Sequence, residues 1–178
     1  MYFEDDAYYY LSIARNVVNE HKLSFDGITS TNGFHPLWLA SILPAYVLSE
    51  DKITAMRIVG SISVILMIIA GLMGLRFIGK RYTVFITIAC TLLLLRYVRD
   101  FSAMSMETSI LLPLCIAALS LLDKLNRTKG YGRYLLIGVL LSLIMLARLD
   151  AVLLCILMVI AVIVKEKANS SVRTGKAL

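Results

Sequence analysis

The chain has 178 residues, 59% hydrophobic and 17% charged, with a mean hydropathy of +0.81. Soluble domains hold about 45–50% apolar residues, so this composition excludes an ordinary soluble domain and points to several membrane helices. The formal charge of +6 reads as a membrane-orientation signal rather than nucleic-acid binding, because no basic cluster is interleaved with aromatics.

Residues 1–52 read as an extracytoplasmic first loop. Glu4-Asp5-Asp6 precede a helical pattern in which Tyr9, Ile13 and Val17 share a face, with Tyr10, Ala14 and Val18 beside them. Ser12, Arg15, Asn16 and Asn19 point elsewhere. About 14 residues are too few to cross about 30 Å of hydrocarbon, which predicts an amphipathic helix along the interface. One aspartate is enough to cap that helix, which leaves the other for chemistry. Asp26-Gly27 and Asn32-Gly33 are turn dipeptides. Pro36 biases His35 to an extended conformation and suits the first position of a helix. That helix, Leu37 to Leu48, rises about 18 Å and is expected to dip into the membrane rather than cross it.

Residues 53–164 read as a bundle of about five crossings. Ile53 to Phe77 is the clearest span, Tyr82 to Leu95 returns, and Ser109 to Leu122 crosses again with Pro113 near its start. The last apolar block, Tyr134 to Val164, is interrupted by Arg148-Leu149-Asp150. One continuous helix would bury both charges at mid-membrane, at roughly 2.5–3.5 kcal/mol each. A hairpin of two short helices puts them at the surface instead. Residues 165–178 complete the chain as a basic cytoplasmic tail.

With the first loop outside, the inner connectors and tail carry Arg76, Lys80, Arg81, Lys124, Arg127, Lys129, Arg133, Lys165, Lys167, Arg173 and Lys176, eleven of the eighteen basic residues. That bias marks the cytoplasmic side. The glycosylation patterns at Asn126-Arg127-Thr128 and Asn169-Ser170-Ser171 then fall inside and read as chance. Cys90, Cys115 and Cys155 sit singly in apolar runs and read as packing residues. All acidic residues except Asp123 and Glu166 fall outside. The first loop, the connector from Arg99 to Glu107, and Arg148 to Asp150 therefore share one side.

Transferring a sugar from a phosphate-linked donor to a hydroxyl needs a base near the acceptor and positive groups near the departing phosphate. Asp5 or Asp6 can supply the base. Arg99, Arg148 and His35 are candidates to stabilise the phosphate, directly or with a divalent cation. Glu107 can position an acceptor or bind a cation. Each has a plainer role as well: a helix cap for Glu107, a local ion pair for Arg148 with Asp150, and a turn hydrogen bond for His35.

The segments Asp5-Asp6-Ala7-Tyr8-Tyr9-Tyr10, Ile13-Ala14-Arg15-Asn16, Phe25-Asp26-Gly27 and Thr31-Asn32-Gly33-Phe34-His35-Pro36-Leu37-Trp38 resemble the polytopic GT-C type membrane glycosyltransferases. Ser105-Met106-Glu107-Thr108 and Ala147-Arg148-Leu149-Asp150 extend that resemblance. The superfamily includes protein mannosyltransferases and aminoarabinose transferase-like enzymes. The resemblance implies an all-α, polytopic membrane helical bundle with extracytoplasmic juxtamembrane helices, a polyprenyl-phosphate-linked sugar donor, and Asp5 or Asp6 acting as base in an inverting transfer. It also implies a membrane helix before the acidic motif and further helices after it, so the chain is expected to be incomplete at both ends or to pack on a partner membrane protein. The alternative expectation is a non-catalytic membrane helical module.

Overall fold

The computed structural model describes residues 5–77, 106–124 and 131–174, with side chains described over 6–76, 106–124 and 131–167. These residues are all-helical apart from a single β-bridge between Ser24 and Ser30. The helices are α1 (Asp5–Glu20), α2 (Pro36–Leu48), α3 (Lys52–Phe77), α4 (Thr108–Lys124), α5 (Tyr131–Ala147) and α6 (Val152–Thr174). A 3-10 turn, Leu149–Ala151, joins the last two. The return helix expected over Tyr82 to Leu95 lies outside the described residues.

The apolar stripe of α1 is buried against α2. Ala7, Tyr10, Leu11, Ile13 and Ala14 meet Trp38, Leu39, Ile42, Ala45 and Tyr46, with Ala55, Met56 and Val59 of α3 closing the cluster. Ile13, Trp38 and Ile42 have no exposed surface, and each such side chain contributes about 1.5–3 kcal/mol by leaving water. Tyr9, Val17 and Val18, expected in the stripe, are only half-buried at its edge.

The end of α1 explains the shape of the first loop. His21 takes a left-handed conformation (φ 56°) and the Lys22 N–H reaches back to the Asn16 carbonyl at 3.3 Å. A left-handed residue just past a helix end is usually glycine. The Asn16 side chain, itself buried, donates to the carbonyls of Ser24 and Phe25 at 3.0 and 3.1 Å. Asp26 then accepts from the N–H groups of Ile28 and Thr29 and from the hydroxyls of Ser24 and Thr29. The expected Asp26-Gly27 turn is present, with Gly27 at φ 77°. Gly33 has no such conformation, and a Cβ there would meet the Tyr9 hydroxyl at 3.4 Å, an ordinary contact distance.

Asp51 caps α3 by accepting the Thr54 N–H at 2.9 Å and its hydroxyl at 2.6 Å. The α3 helix then packs along α4 and α4 along α5. A second apolar cluster of Ala118, Ile144, Ala151, Cys155 and Met158 joins α4, α5 and α6. Glu107 near Arg148 at one end and Arg133 donating to the Lys124 carbonyl at the other make α4 and α5 antiparallel. The α6 helix runs on past Val164 to Thr174, into the residues read as a basic tail. Lys165 Nζ donates to the Leu122 carbonyl at 2.9 Å and the Tyr134 hydroxyl to Glu166 at 2.6 Å. Those two contacts hold the polar turns of α6 against α4 and α5.

Among the described residues one helix is long and apolar enough to cross a membrane, Lys52–Arg76, with a mean hydropathy of 2.5 over its most apolar stretch. The α2 and α5 helices are apolar but shorter. Large apolar side chains lie exposed along α3, α5 and α6, among them Ile65, Leu72, Leu135, Leu153 and Leu157. Ser61 and Ser142, exposed among them, donate to the carbonyls four residues back, which leaves no hydroxyl proton seeking a partner on those faces.

Candidate functional site

Four segments distant in sequence meet at the end of the bundle where α4 begins. Tyr10 comes from α1, His35 from the residue before α2, Glu107 from the residue before α4, and Arg148 with Asp150 from the break between α5 and α6. The break itself is local: Arg148 is extended (φ −160°, ψ 122°), which ends α5 and turns its side chain away from the helix face.

Glu107 is the centre of this group and is only 5% exposed. His35 Nε2 lies 3.8 Å from its Oε1, and Arg148 Nη1 lies 3.7 Å from the same oxygen. Arg148 Nε also donates to Asp150 Oδ2 at 3.0 Å. Arg148 therefore serves both as the local pair closing the turn and as a partner for Glu107. That hydrogen bond from the guanidinium holds the Asp150 carboxyl below the usual carboxylate range. The cap role expected of Glu107 is met by its carbonyl, which accepts the N–H groups of Ile110 and Leu111 at 3.2 and 3.1 Å. Its carboxylate is left for other contacts.

The Tyr10 hydroxyl accepts the His35 backbone N–H at 3.2 Å, and the two rings stack at 6.2 Å. The His35 backbone N–H is thus engaged by a residue of α1, twenty-five positions away, and not by a turn. Burial pushes the Tyr10 phenol up to about 12; the His35 N–H acts in the opposite direction, while the negative charges of Glu107 and Asp6 raise it further. Asp6 is exposed in the first turn of α1, four residues before Tyr10 and so on the same face. Asp5 opens that helix. Around them the Tyr9 ring stacks on Phe25 at 5.1 Å and its hydroxyl bonds that of Thr31, which ties the first loop back onto α1.

The structure thus brings His35, Glu107, Arg148 and Asp150 into contact and sets Asp6 within electrostatic reach of Tyr10. Arg99 lies outside the described residues. Sequence reasoning passed over two members of the group. Tyr10 was legible as the residue one turn after Asp6. Trp38, in the first turn of α2, is completely buried with its Nε1 unpartnered. Glu107 Oε2 and His35 Nδ1 are likewise buried without a hydrogen-bond partner.

Among the described residues no three His, Cys, Asp or Glu side chains converge to hold a metal ion. The arrangement can hold a polar ligand at a rim where Arg148 and His35 are partly exposed and Glu107 lies beneath. Comparison with protein families, curated proteins and solved structures finds no match to this chain.

Proposed function

We propose that this chain forms part of a polytopic membrane glycosyltransferase of the GT-C type, moving a sugar from a polyprenyl-phosphate donor to an acceptor hydroxyl on the extracytoplasmic face of the cytoplasmic membrane. The observation that carries the reading is the meeting of His35, Glu107, Arg148 and Asp150, with Asp6 one turn from Tyr10, at a single end of an apolar helical body. The apolar side chains exposed along α3, α5 and α6 support a lipid environment. Lys124, Arg133 and Lys165 gather at the opposite end of α4, which supports that end as the cytoplasmic one.

In this reading Asp5 or Asp6 removes the proton of the acceptor hydroxyl. The oxygen attacks the anomeric carbon from the face opposite the phosphate, and the carbon–oxygen bond to phosphate breaks with its electron pair on the leaving oxygen. The Arg148 guanidinium, 37% exposed at the rim, faces the charge that develops there.

The test is a transfer assay in membranes with a radiolabelled polyprenyl-phosphate sugar. Asp5→Asn together with Asp6→Asn is expected to abolish transfer while insertion is unchanged. Unaltered turnover would refute the assignment of the base. Absence of transfer by the unmodified protein in the presence of donor would favour a non-catalytic module that packs on a partner.

A further inference from the structure

We infer that the end of the bundle opposite Glu107 is a binding surface for an anionic phospholipid. Its phosphate lies at the cations gathered round the end of α4, and its acyl chains run along the apolar faces of α5 and α6. The inference goes beyond the transfer reading and shares with it only the placement of these helices in a membrane.

Three helices are tied together here. Lys165 Nζ of α6 donates to the Leu122 carbonyl of α4 at 2.9 Å, and Arg133 Nη1 of α5 donates to the Lys124 carbonyl at 2.9 Å. The Tyr134 hydroxyl of α5 meets Glu166 of α6 at 2.6 Å. Leu122 and Lys124 lie in the last turn of α4, where a helix leaves carbonyls unpaired and carries partial negative charge. Cations from two other helices are drawn to that one helix end, and each keeps its charge because a carbonyl is neutral. Lys124 itself is exposed, as is Lys167, two residues after Lys165. Four cations therefore stand among only two carboxylates, Asp123 and Glu166, and Glu166 already takes the Tyr134 proton. The excess at this end is positive.

Apolar side chains begin within a turn of these cations. Leu135 and Leu136 follow Arg133, Ile163 and Val164 precede Lys165, and all four are exposed. Tyr131, 96% exposed, adds an aromatic ring at the junction, the place such rings take between hydrocarbon and headgroup.

Charge and apolar continuity together decide the occupant. A free anion uses the cations and leaves the apolar faces uncovered. A zwitterionic lipid covers those faces but brings a cation of its own to a positive surface. An anionic phospholipid matches both, and its attraction grows with each nearby Lys or Arg.

The full chain is reconstituted in phosphatidylcholine vesicles with a trace of spin-labelled phosphatidylglycerol or spin-labelled phosphatidylcholine. The motionally restricted fraction of each probe is read by electron paramagnetic resonance. The phosphatidylglycerol probe is expected to associate about fivefold more strongly, the discrimination of a single effective cation. Lys124→Gln together with Lys167→Gln is expected to lose most of that preference. Arg15→Gln together with Arg57→Gln removes as many exposed charges from α1 and the start of α3 and is expected to leave it unchanged. If the first double variant does not insert, Lys167→Gln alone is read, with a smaller loss expected. Inorganic phosphate is expected to have no more effect than sodium chloride at matched ionic strength. The proposal is overturned if the two probes are restricted equally, if the two double variants lose the preference equally, or if phosphate erases it where chloride does not. No restricted component from either probe would remove the membrane placement as well. Failure of sugar transfer with the lipid preference intact would remove the transfer reading alone.

Discussion

Glu107 and Arg148 approach to 3.7 Å across the start of α4 and the end of α5, and they do so with very different exposure: the carboxylate side chain is 6% accessible, the guanidinium 37%. Removing the exposed partner strands the buried one. Arg148→Met is expected to destabilise the protein by about 1–3 kcal/mol, below the value for a fully buried pair because the guanidinium is partly solvated. Asp150, 69% exposed, has no such dependant, so Asp150→Asn is expected to have a much smaller effect. Equilibrium unfolding of the two variants in mixed micelles gives the comparison.

Asn16 holds the first loop by two bonds from one buried amide. Asn16→Ala leaves the Ser24 carbonyl, on a buried residue, without that donor and is expected to cost about 1–3 kcal/mol. The loss is local, so hydrogen exchange is expected to rise over residues 22–31 while α4 and α5 keep their protection.

Acid is expected to loosen the same loop through Asp26. The hydroxyl and N–H of Thr29, the N–H of Ile28 and the Ser24 hydroxyl all bond its carboxylate, which holds it well below the ordinary range. A depressed folded value means the carboxylate stabilises the loop fully above its unfolded pKa of about 3.9. That contribution is lost as pH falls from there through the folded value. Limited proteolysis between pH 6 and 2.5 is expected to show cleavage near Asp26 rising only below about pH 4. Asp26→Ala is expected to show that cleavage at every pH.

His21 occupies a left-handed position (φ 56°), where a side chain costs roughly 1–2 kcal/mol. Glycine removes that strain but gives back part of it as freedom of the unfolded chain. His21→Gly is therefore expected to stabilise by about 0.5–1 kcal/mol, read as a rise in the unfolding midpoint without a change in its slope.

Much of the helical architecture was legible before any coordinates. The helix expected over Leu37 to Leu48 is found over Pro36–Leu48, and the long span from Ile53 over Lys52–Phe77. Proline, capping and turn residues act on their immediate neighbours, so their effect can be read from a few adjacent letters. The stripe of α1 was less legible: where α2 crosses it decides its burial, so that Ile13, Tyr10 and Ala14 of the expected set are buried together with Ala7 and Leu11, while Tyr9, Val17 and Val18 stay at the edge. Beyond the apolar block that ends at Val164, α6 runs on with Lys165 on the Leu122 carbonyl and Glu166 on the Tyr134 hydroxyl, contacts made across helices.

The sequence alone determined that apolar helices end where Arg148 and Asp150 interrupt them, because the cost of placing charge in an apolar medium is set residue by residue. It also set the acidic and aromatic character of the first loop. Only the tertiary structure decided that Glu107 sinks beneath Arg148 and His35, that the Tyr10 hydroxyl takes the His35 N–H, and that a tryptophan and a carboxylate are left with buried polar atoms unpaired. Those relations depend on the crossing of helices far apart in the chain. Periodicity says which face of a helix is buried but not which neighbour buries it.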